Sequence, residues 1–574
     1  MNKKIIFIIT SLMCVFINLY AQVSLNPNDD FYKDAKNWET KGIVSWLPQI
    51  RPYSINTVKK ILAEVKENGD ESDVQLAEFY EAKFFSKCWN VGITIGDNLK
   101  LSDDGDKIKN LFSVEPEVYG DVLIHNLVGL GYKVGVIAQN SSTSEQDVLP
   151  LFYTSQNDTH DDPFTFGSAV ANIDMGANLT VGKENIYGMF GLNRVAYGPF
   201  TDDSILLSGN QFHSGNLSFV YESSKWGYTQ IFSSISRSTK NSSSSTLDFT
   251  PEKFMAFHSI RFMPVKQFAV TYFESSVYTN RFDPSYFLPV PYMVIQGMYG
   301  ASDNTISGLT FDVRPVDRLG ISLCALIDDI NLNGFAKGEF DTRLKLALQG
   351  GINYVPSVSF IDSLSLDYTL VTPYTYSHCD PQMKFENYDE IKTYYNKDNY
   401  TNRLTNLGTK LPPNSDRIQF KGTFRPVERL RLDFSTTFVR HANIAESFTD
   451  EEAQKYIEAN KAVESSGYYF ATDGSIWTSS LTSPSSDKNA FMSQEHKMYL
   501  LQIALNAEYE LQRMKCGSLV FNVGYMFEFI YNKGVDENIY TANSANPQDA
   551  KKLWVSNLHN VYNNYFSASV KYYY

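Results

Sequence analysis

The sequence predicts an all-β protein: a transmembrane antiparallel β-barrel of about 18 strands with a small N-terminal periplasmic helical bundle. Residues 417–441 show the first supporting observation, since apolar and polar side chains alternate on both sides of Arg425-Pro426-Val427-Glu428. Successive strand residues point to opposite faces, so this pattern is typical of two half-buried strands joined by a turn. Proline lacks an N–H donor, and we therefore expect Pro426 in the break between the strands.

The second observation is that this turn recurs. Arg314-Pro315-Val316-Asp317-Arg318-Leu319 nearly repeats the segment 425–430, and looser copies begin at Met263-Pro264 and Val355-Pro356. Long polar segments separate the turns. Short turns at one end of a sheet and long loops at the other are typical of outer-membrane barrels, whose short turns are periplasmic.

Composition is the third observation. Of 574 residues, 14% are aromatic and 43% hydrophobic, and the mean hydropathy is −0.27. A barrel has such a composition because only alternate strand residues face lipid and aromatic side chains line both interfaces. The net charge of −14 opposes nucleic-acid binding, which requires a basic surface, and no nucleic-acid partner is expected.

Residues 1–21 are predicted to be a secretory signal. Lys3 and Lys4 precede an apolar run from Ile5 to Ile17, and Leu19-Tyr20-Ala21 resembles a cleavage site. The expected location is therefore the outer membrane of a Gram-negative-type (diderm) bacterium.

Residues 22–88 are predicted to form a periplasmic helical segment. Phe31, Ala35 and Trp38 recur at helical spacing, and Gly42 is suited to end that helix. Ser54 can cap a second helix, and a third begins near Asp73. Because the segment follows the signal directly, we expect a small bundle under the barrel mouth.

Residues 89–574 are predicted to form the barrel. The final strand, Tyr565 to Tyr574, alternates and ends on an outward aromatic residue. It is similar to the C-terminal strands of bacterial outer-membrane proteins generally, which implies the barrel-assembly machinery and outer-membrane lipid as partners. With both termini periplasmic the strand number is even, near 18, with 16 and 20 as alternatives.

Five long segments are predicted to be loops at the other end of the barrel. Loops of this length in an ordered domain are lids, binding surfaces or surface decoration. Thr449 and Glu452 form a capping box, so a helix is expected from Asp450 to about Val463. The predicted loops are residues 141–166, 278–304, 374–416, 441–497 and 532–560.

No motif indicates an enzyme. Ser204, His213 and the neighbouring Asp202 and Asp203 contain the groups of a catalytic triad, but no nucleophile elbow presents them. The sequence has no HExxH and no glycine-rich phosphate loop, and the EF-hand-like start at Asp329 lacks its final glutamate. We therefore expect no catalytic residue, cofactor or metal.

One segment resembles a known family. Residues 188–200, Gly-Met-Phe-Gly-Leu-Asn-Arg-Val-Ala-Tyr-Gly-Pro-Phe, and then Ser204-Ile205-Leu206-Leu207-Ser208 are similar to the central signature of the capsule-assembly (Wzi-like) outer-membrane family. Tyr197 stands where that family usually has tryptophan, and Phe200 where it has a second glycine. The resemblance implies an 18-stranded barrel with a periplasmic helical bundle, acting as a surface lectin for exported polysaccharide. The residues predicted to bind polysaccharide are Arg194, Tyr197, Gly198, Pro199 and Ser208.

Two functions are consistent with these features. The protein either binds and organises surface or capsular polysaccharide, without catalysis, or is a substrate-selective porin for small solutes. Arg194 and Tyr197 suit sugar binding, because a guanidinium forks onto carboxylates and an aromatic face packs on sugar C–H groups. The residues predicted to line the lumen are Arg343, Lys345, Lys421, Arg429 and Arg431.

Overall fold

Eighteen antiparallel strands form a closed barrel in which the first strand pairs with the last, Gly92 opposite Tyr573. The computed structural model describes residues 25–85, 89–153, 164–240, 247–300, 303–339, 343–358, 360–377, 398–403, 405–427, 429–454, 457, 490–511, 517–541, 544 and 546–574. The strands are β1 (Asn90–Ser102), β2 (Ile108–Ile124), β3 (Val128–Asn140), β4 (Ala169–Lys183), β5 (Ile186–Asn193), β6 (Ser214–Glu222), β7 (Trp226–Lys240), β8 (Leu247–Val265), β9 (Phe268–Thr279), β10 (Asn304–Val316), β11 (Leu319–Ile330), β12 (Leu344–Tyr354), β13 (Ile361–Val371), β14 (Ser415–Val427), β15 (Leu430–Ala442), β16 (Lys497–Glu510), β17 (Ser518–Lys533) and β18 (His559–Tyr573).

The prediction of a barrel with an even number of strands is confirmed. The predicted strand ends were less accurate: the final strand was expected to begin at Tyr565, but β18 begins at His559. Strand ends are set by hydrogen bonding to neighbouring strands, which alternation within one segment does not contain.

Three of the four repeated proline turns share one structure, which corrects the expected position of their prolines, whereas Pro356 lies beyond the end of β12. Pro426, Pro315 and Pro264 lie inside the ends of β14, β10 and β8, not in the breaks. At all three places the register shifts, between Phe424 and Val427 for example, so the proline stands at a bulge where no ladder donor is required. A tight turn follows, and Val427 pairs with Leu430.

Side chains alternate between the lumen and the outer surface as predicted. On β12, Lys345, Ala347 and Gln349 are buried on the inner face, whereas Leu348 and Ile352 are exposed on the outer face. The outer surface carries a broad belt of exposed apolar side chains from nearly every strand, as lipid contact requires.

In the described part of the chain before the barrel, three helices are present: α1 (Asp30–Lys41), α2 (Ile55–Asn68) and α3 (Glu71–Phe85). Asp29 caps α1, and Gly42 ends it with φ of 80°. Ser54 caps α2 as predicted. The helices share an apolar core that includes Phe31, Trp38, Val58, Leu62 and Tyr80.

The bundle contacts the barrel at the end that carries the tight turns. Asp34 of α1 pairs with Arg425 at 2.8 Å, the backbone N–H of Arg318 donates to Thr40 O at 2.9 Å, and the Trp46 indole donates to Val265 O. Helix α1 therefore lies in the mouth of the barrel, against the inner ends of the strands.

The remaining helices lie in the loops at the opposite end. The predicted capping box is present, since Thr449 N donates to Glu452 and Glu452 N donates to Thr449, and residues 450–454 are helical. Most of the rest of that predicted helix lies outside the described residues. No helix among those described has the length and apolar character needed to cross a membrane. The loop helices are α4 (Glu145–Val148), α5 (Tyr292–Tyr299), α6 (Leu332–Ala336) and α7 (Pro547–Asn557).

Candidate functional site

A loop of residues 194–213, called the lumen loop below, fills the middle of the barrel. It leaves the wall early because β5 has 8 residues whereas its neighbour β4 has 15. Ala196–Tyr197 and Leu207–Ser208 pair with each other, and Ile50–Arg51 adds a third short strand to this internal sheet. The sheet joins the N-terminal segment to the loop through backbone hydrogen bonds.

Arg51 reinforces that junction. Its guanidinium is buried and donates to Gly198 O at 3.0 Å and to Phe200 O at 2.9 Å, while Gly198 N donates to Gln49 O. A guanidinium presents donors in a fixed planar fork, so one side chain holds two carbonyls of the same turn. Gly198 has φ of 114°, a conformation that L side chains rarely adopt, and a Cβ there would lie 3.0 Å from Ser204 Oγ.

The lumen loop reaches the wall on both sides of the barrel. Tyr197 OH lies 2.7 Å from Ser259 Oγ on β8, and Lys421 on β14 pairs with Asp202 at 2.9 Å. The loop starts between β5 and β6, and β14 lies almost half of the eighteen strands away around the ring. The loop therefore spans the lumen.

Asp203 is the main polar anchor on the far side. Its carboxylate accepts from Arg417 Nη1 at 2.8 Å, from Thr409 Oγ1 at 2.5 Å and from the Lys410 backbone N–H at 3.1 Å. Gln349 Nε2 donates to its carbonyl at 2.7 Å. Because a buried carboxylate is stable only when its lone pairs are used, this set of donors fixes the loop against β12, β14 and the segment 405–411.

Asp202 is held by two ammonium groups. Lys421 contacts it at 2.9 Å and Lys33 of α1 at 3.4 Å, and Lys421 also contacts Asp367 at 2.8 Å. Burial alone would raise the pKa of Asp202, but the charges of Lys33 and Lys421 outweigh it and hold the pKa well below its ordinary value. The charged network thus connects the helical bundle, the lumen loop and the barrel wall.

An apolar core also crosses the lumen. Val195, Tyr197, Ile205, Leu206 and Leu207 of the lumen loop are buried in a cluster with inward side chains from strands around the barrel. Tyr376 OH donates to Ile205 O at 2.7 Å from another loop. The wall and loop residues in this cluster include Ile231, Phe257, Phe273, Leu326, Ala347, Val371, Val439, Leu500, Tyr374, Tyr400 and Leu407.

A chamber of 440 Å³ lies beside the lumen loop. Helix α1 bounds it on the side of the tight turns, and residues 151–153 and 410–411 bound it on the other. Its lining combines charges, amides and aromatic rings. These residues include Tyr153, Pro199, Phe200, Asp202, Asp203, Gln349, Lys410, Arg417, Gln419, Lys421 and Gln502.

Lys410 differs from the other cations of the chamber. Arg417, Lys421 and Arg431 each pair with a carboxylate, whereas no described carboxylate lies within ion-pair distance of the Lys410 ammonium. Lys410 Nζ lies 5.1 Å from the centre of the Tyr153 ring. Burial lowers the pKa of Lys410 more than the carboxylate of Asp203 raises it. Lys410 is partly buried, and a partly buried cation without a direct anionic partner can accept one from a ligand.

A larger cavity of 1330 Å³, called the rim cavity below, opens between the helical bundle and the rim of the barrel that carries the tight turns. Acidic and basic side chains alternate along it. Lys133 pairs with Asp174 at 2.5 Å, and Arg431 pairs with Asp30 at 3.1 Å. These charges largely neutralise one another, so the cavity favours neither anionic nor cationic ligands.

The five residues predicted to bind polysaccharide lie in or beside the internal sheet. Tyr197 is 1% exposed, and its ring centre lies 4.5 Å from that of Phe257, so its faces are not open to a sugar. Ser208 is equally buried, and its N–H donates to Leu407 O. Gly198 forms the turn, Arg194 lines the rim cavity, and Pro199 lines the chamber. Their role in binding remains a prediction.

The five residues predicted to line the lumen are distributed over its length. Arg343 pairs with Asp329 at 3.1 Å near the end that carries the long loops, and Lys345 donates to Ser377 O at 3.2 Å. Lys421 and Arg431 lie at the chamber and contact the lumen loop and α1, respectively. Arg429 lies in the turn between β14 and β15 at the rim cavity. Most of these cations bind segments that lie inside the barrel, such as the lumen loop and α1, and do not face an open bore.

Sequence reasoning missed Asp203, Lys410 and Tyr153. Asp203 was considered only as part of a catalytic triad, and Lys410 was treated as part of a long loop. The available signal was the pair of acidic residues directly after the glycine-proline turn, opposite a strand that carries Arg417, Gln419 and Lys421 on one face. Which loop meets that face is not encoded in local periodicity.

Among the described residues, Glu446, Glu495 and His496 form a group with ligand atoms within 4.8 Å of one another. Glu446 accepts from the His496 backbone N–H at 3.0 Å and from its ring Nδ1 at 2.7 Å. This hydrogen bonding accounts for the buried carboxylate of Glu446 without a metal.

No protein-family model and no curated protein matches the chain. Among solved structures, the chain is similar to Wzi of Escherichia coli, described as an outer-membrane protein involved in group 1 capsule assembly and a carbohydrate-binding β-barrel. The TM-score is 0.52 and the identity 11%, over 97% of this chain and 99% of that one. Pseudomonas aeruginosa OprD gives a TM-score of 0.40 at 9% identity, covering 85% of this chain and 94% of that one. Acinetobacter baumannii OccAB2 gives a TM-score of 0.41 at 9% identity, covering 85% of this chain and 98% of that one. The likeness to Wzi shows the fold, that of an outer-membrane barrel.

Proposed function

We propose that this chain is a non-enzymatic outer-membrane protein of a Gram-negative-type bacterium that binds surface polysaccharide. The observation that carries the proposal is the lumen loop, which crosses the barrel and is anchored by Arg51 on one side and by Arg417 and Lys421 on the other. A barrel of this size with an empty interior is an aqueous channel. An interior filled by an anchored loop and an apolar core suits binding better than diffusion.

The chamber supplies the chemistry for sugar recognition. Amide side chains such as Gln349 and Gln502 donate and accept hydrogen bonds, as hydroxyl-rich ligands require. Lys410 offers a positive charge, and Tyr153 beside it offers an aromatic ring. A cation next to an aromatic ring fits a sugar that carries a carboxylate, because the ammonium pairs with the acid while the ring packs on C–H groups. The proposed ligand class is therefore an acidic polysaccharide.

Wzi, which is described as a carbohydrate-binding barrel, shares the fold along nearly the whole chain, and polysaccharide binding is therefore compatible with this fold. The similarity concerns the fold alone, so the polysaccharide role rests on the lumen loop and the chamber.

Binding can be tested with the full-length protein reconstituted in liposomes. An acidic polysaccharide containing uronic acid should float with the protein-bearing liposomes at low salt, and its neutral counterpart after carboxyl reduction should float less. Absence of binding by either polymer, together with free diffusion of small sugars into the liposomes, would favour the porin function instead.

A further inference from the structure

The outer surface of the barrel carries a row of polar side chains where lipid contact is expected. Gln230 on β7, His258 on β8 and Glu274 on β9 stand side by side, since Gln230 pairs with His258 and His258 with Glu274 in the strand register. Their neighbours Ile231, Phe257 and Phe273 belong to the lumen core, so the three polar side chains point outward. All three are nevertheless buried.

The row lies within the height of the apolar belt. Trp226 is the outward aromatic residue at the periplasmic end of β7, and Gln230 follows four residues later. At about 3.4 Å per residue and a tilt of about 40°, Gln230 lies roughly 10 Å above Trp226, whereas the belt of such a barrel is about 25 Å tall. An uncovered carboxylate at this depth would be costly.

Residues 280–300, called the outer clasp below, cover the row. They extend from the top of β9 and fold down against the outside of the wall, unlike the lumen loop, which folds inward. Tyr292 N donates to Glu274 Oε2 at 2.7 Å, and Gln230 Nε2 donates to Tyr286 O and to Tyr292 OH, both at 3.0 Å. His258 Nε2 lies 3.3 Å from Glu274 Oε2. The clasp thus supplies hydrogen-bond partners for Gln230 and Glu274, while His258 Nε2 pairs with Glu274.

Aromatic packing holds the clasp above the row. Phe287 stacks on the outward ring of Phe232 with centroids 4.9 Å apart, and Tyr286 stacks on Tyr278 at 4.6 Å. Ile295 of α5 is buried in the same cluster. The inner face of the clasp is therefore fixed on the wall, at the height of the upper belt.

The opposite face of the clasp is apolar and exposed. On α5, Met298 is 77% exposed and Met293 65%, and Tyr299 is also exposed. The exposed apolar side chains of the clasp are Phe282, Leu288, Val290, Met293, Val294, Met298 and Tyr299. Directly below the polar row, Ile260, Tyr272 and Leu309 are exposed on the wall, so the clasp continues the apolar surface of the belt.

We propose that the outer clasp is embedded in the membrane, with its exposed face in contact with lipid acyl chains of the outer leaflet. We infer lipid as the contact because the exposed face of the clasp continues the apolar belt and stands in front of the strands that would otherwise face lipid. It replaces a polar stretch of wall by an apolar one and seals Gln230, His258 and Glu274 from hydrocarbon.

Site-directed spin labelling tests this placement. The background would carry Cys88→Ser, Cys379→Ser and Cys516→Ser and retain Cys324, which is buried. Nitroxide labels are placed, one at a time, at Met298→Cys and Met293→Cys of the clasp in lipid bilayers. A label at Leu323→Cys on the belt is the lipid-facing control, and a label at Leu553→Cys on α7 in an extracellular loop is the water-exposed control. We expect both clasp positions to be reached by oxygen in preference to a water-soluble nickel complex, as at Leu323.

Two results would overturn the proposal. Clasp labels reached by nickel as readily as the label at Leu553 would place that face in water, and labels shielded from both reagents would mean that protein, such as a second copy of the chain, covers it. The proposal rests on the proposed membrane location of the barrel, and the label at Leu323 distinguishes a failure of the clasp placement from a failure of that location. If that label were also reached by nickel, the membrane location itself would fail.

Discussion

Arg417 on β14 donates to Asp203 of the lumen loop at 2.8 Å, joining a segment that leaves the wall between β5 and β6 to a strand almost diametrically opposite. Both side chains are largely buried, with exposures of 11% and 8%. The pair closes the span of the lumen loop across the barrel, and the proposed function depends on that span.

Asp203→Asn is expected to release the lumen loop from β14. Removing one charge of a buried pair leaves the other uncompensated, which costs about 3–5 kcal/mol. Hydrogen exchange should accelerate in peptides covering residues 199–211, and the unfolding midpoint in guanidinium should fall. Asp106→Asn is a matched control, since Asp106 is 76% exposed in its pair with Lys109 and should change neither measurement. Equal exchange in the two variants would contradict the anchoring role.

Arg51→Lys is expected to loosen the junction between the N-terminal segment and the lumen loop. Lysine keeps the charge but not the planar fork, so one of the bonds to Gly198 O and Phe200 O is lost at a cost of about 1.5–3 kcal/mol. Faster amide exchange at residues 196–200 is the measurement. Arg343→Lys serves as the control because its pair with Asp329 is at a more exposed site. Unchanged protection in Arg51→Lys would show that the backbone pairing alone suffices.

The pH dependence of stability should reveal Asp202. Burial raises the pKa of Asp202, but the positive charges of Lys33 and Lys421 lower it by more than burial raises it. The pKa in the folded protein is therefore below the ordinary value of 3.8. A depressed folded pKa means that the stabilisation is complete above pH of about 4–5 and declines as pH falls through and below 3.8. Asp202→Asn should therefore lower the melting temperature at pH 7, and the difference from wild type should shrink toward pH 3. A difference independent of pH would contradict the assignment.

Lys410→Ala is expected to lower the affinity for acidic polysaccharide by about tenfold or more, since a charge-assisted hydrogen bond contributes about 1.5–3 kcal/mol. Binding of the carboxyl-reduced polymer should be unaffected. Lys552→Ala, at an exposed position on α7, removes the same charge outside the chamber and should leave both affinities unchanged. If the two variants lose affinity equally, general electrostatic attraction rather than the chamber explains the binding.

The barrel was largely predictable because its determinants are local. Period-two alternation, as at Ile418 and Phe420, indicates which face of a strand meets lipid, and helix ends such as Ser54 and Gly42 are set by neighbouring backbone groups. Both features are contained in a few consecutive residues. The bulges at Pro315 and Pro426 needed a partner strand and were not predicted.

The interior was not predictable in the same way. Asp203 and Arg417 are more than two hundred residues apart, and Gln49 reaches Asp312 across a similar separation. Nothing in the local pattern tells an inward loop from an outward one, so the lumen loop and the outer clasp were both treated as surface segments or binding loops. The segment at 188–208 was identified from its resemblance to a family, but its burial was apparent only from the three-dimensional contacts.

Single-channel conductance in planar bilayers tests the central claim most directly. The wild-type protein should show no steady open conductance, because the lumen loop crosses the bore, whereas a variant in which residues 201–206 are replaced by a Gly-Gly linker should open. A steady conductance of the wild-type protein, unaffected by removal of those residues or by acidic polysaccharide, would contradict the lumen-spanning role and favour a porin.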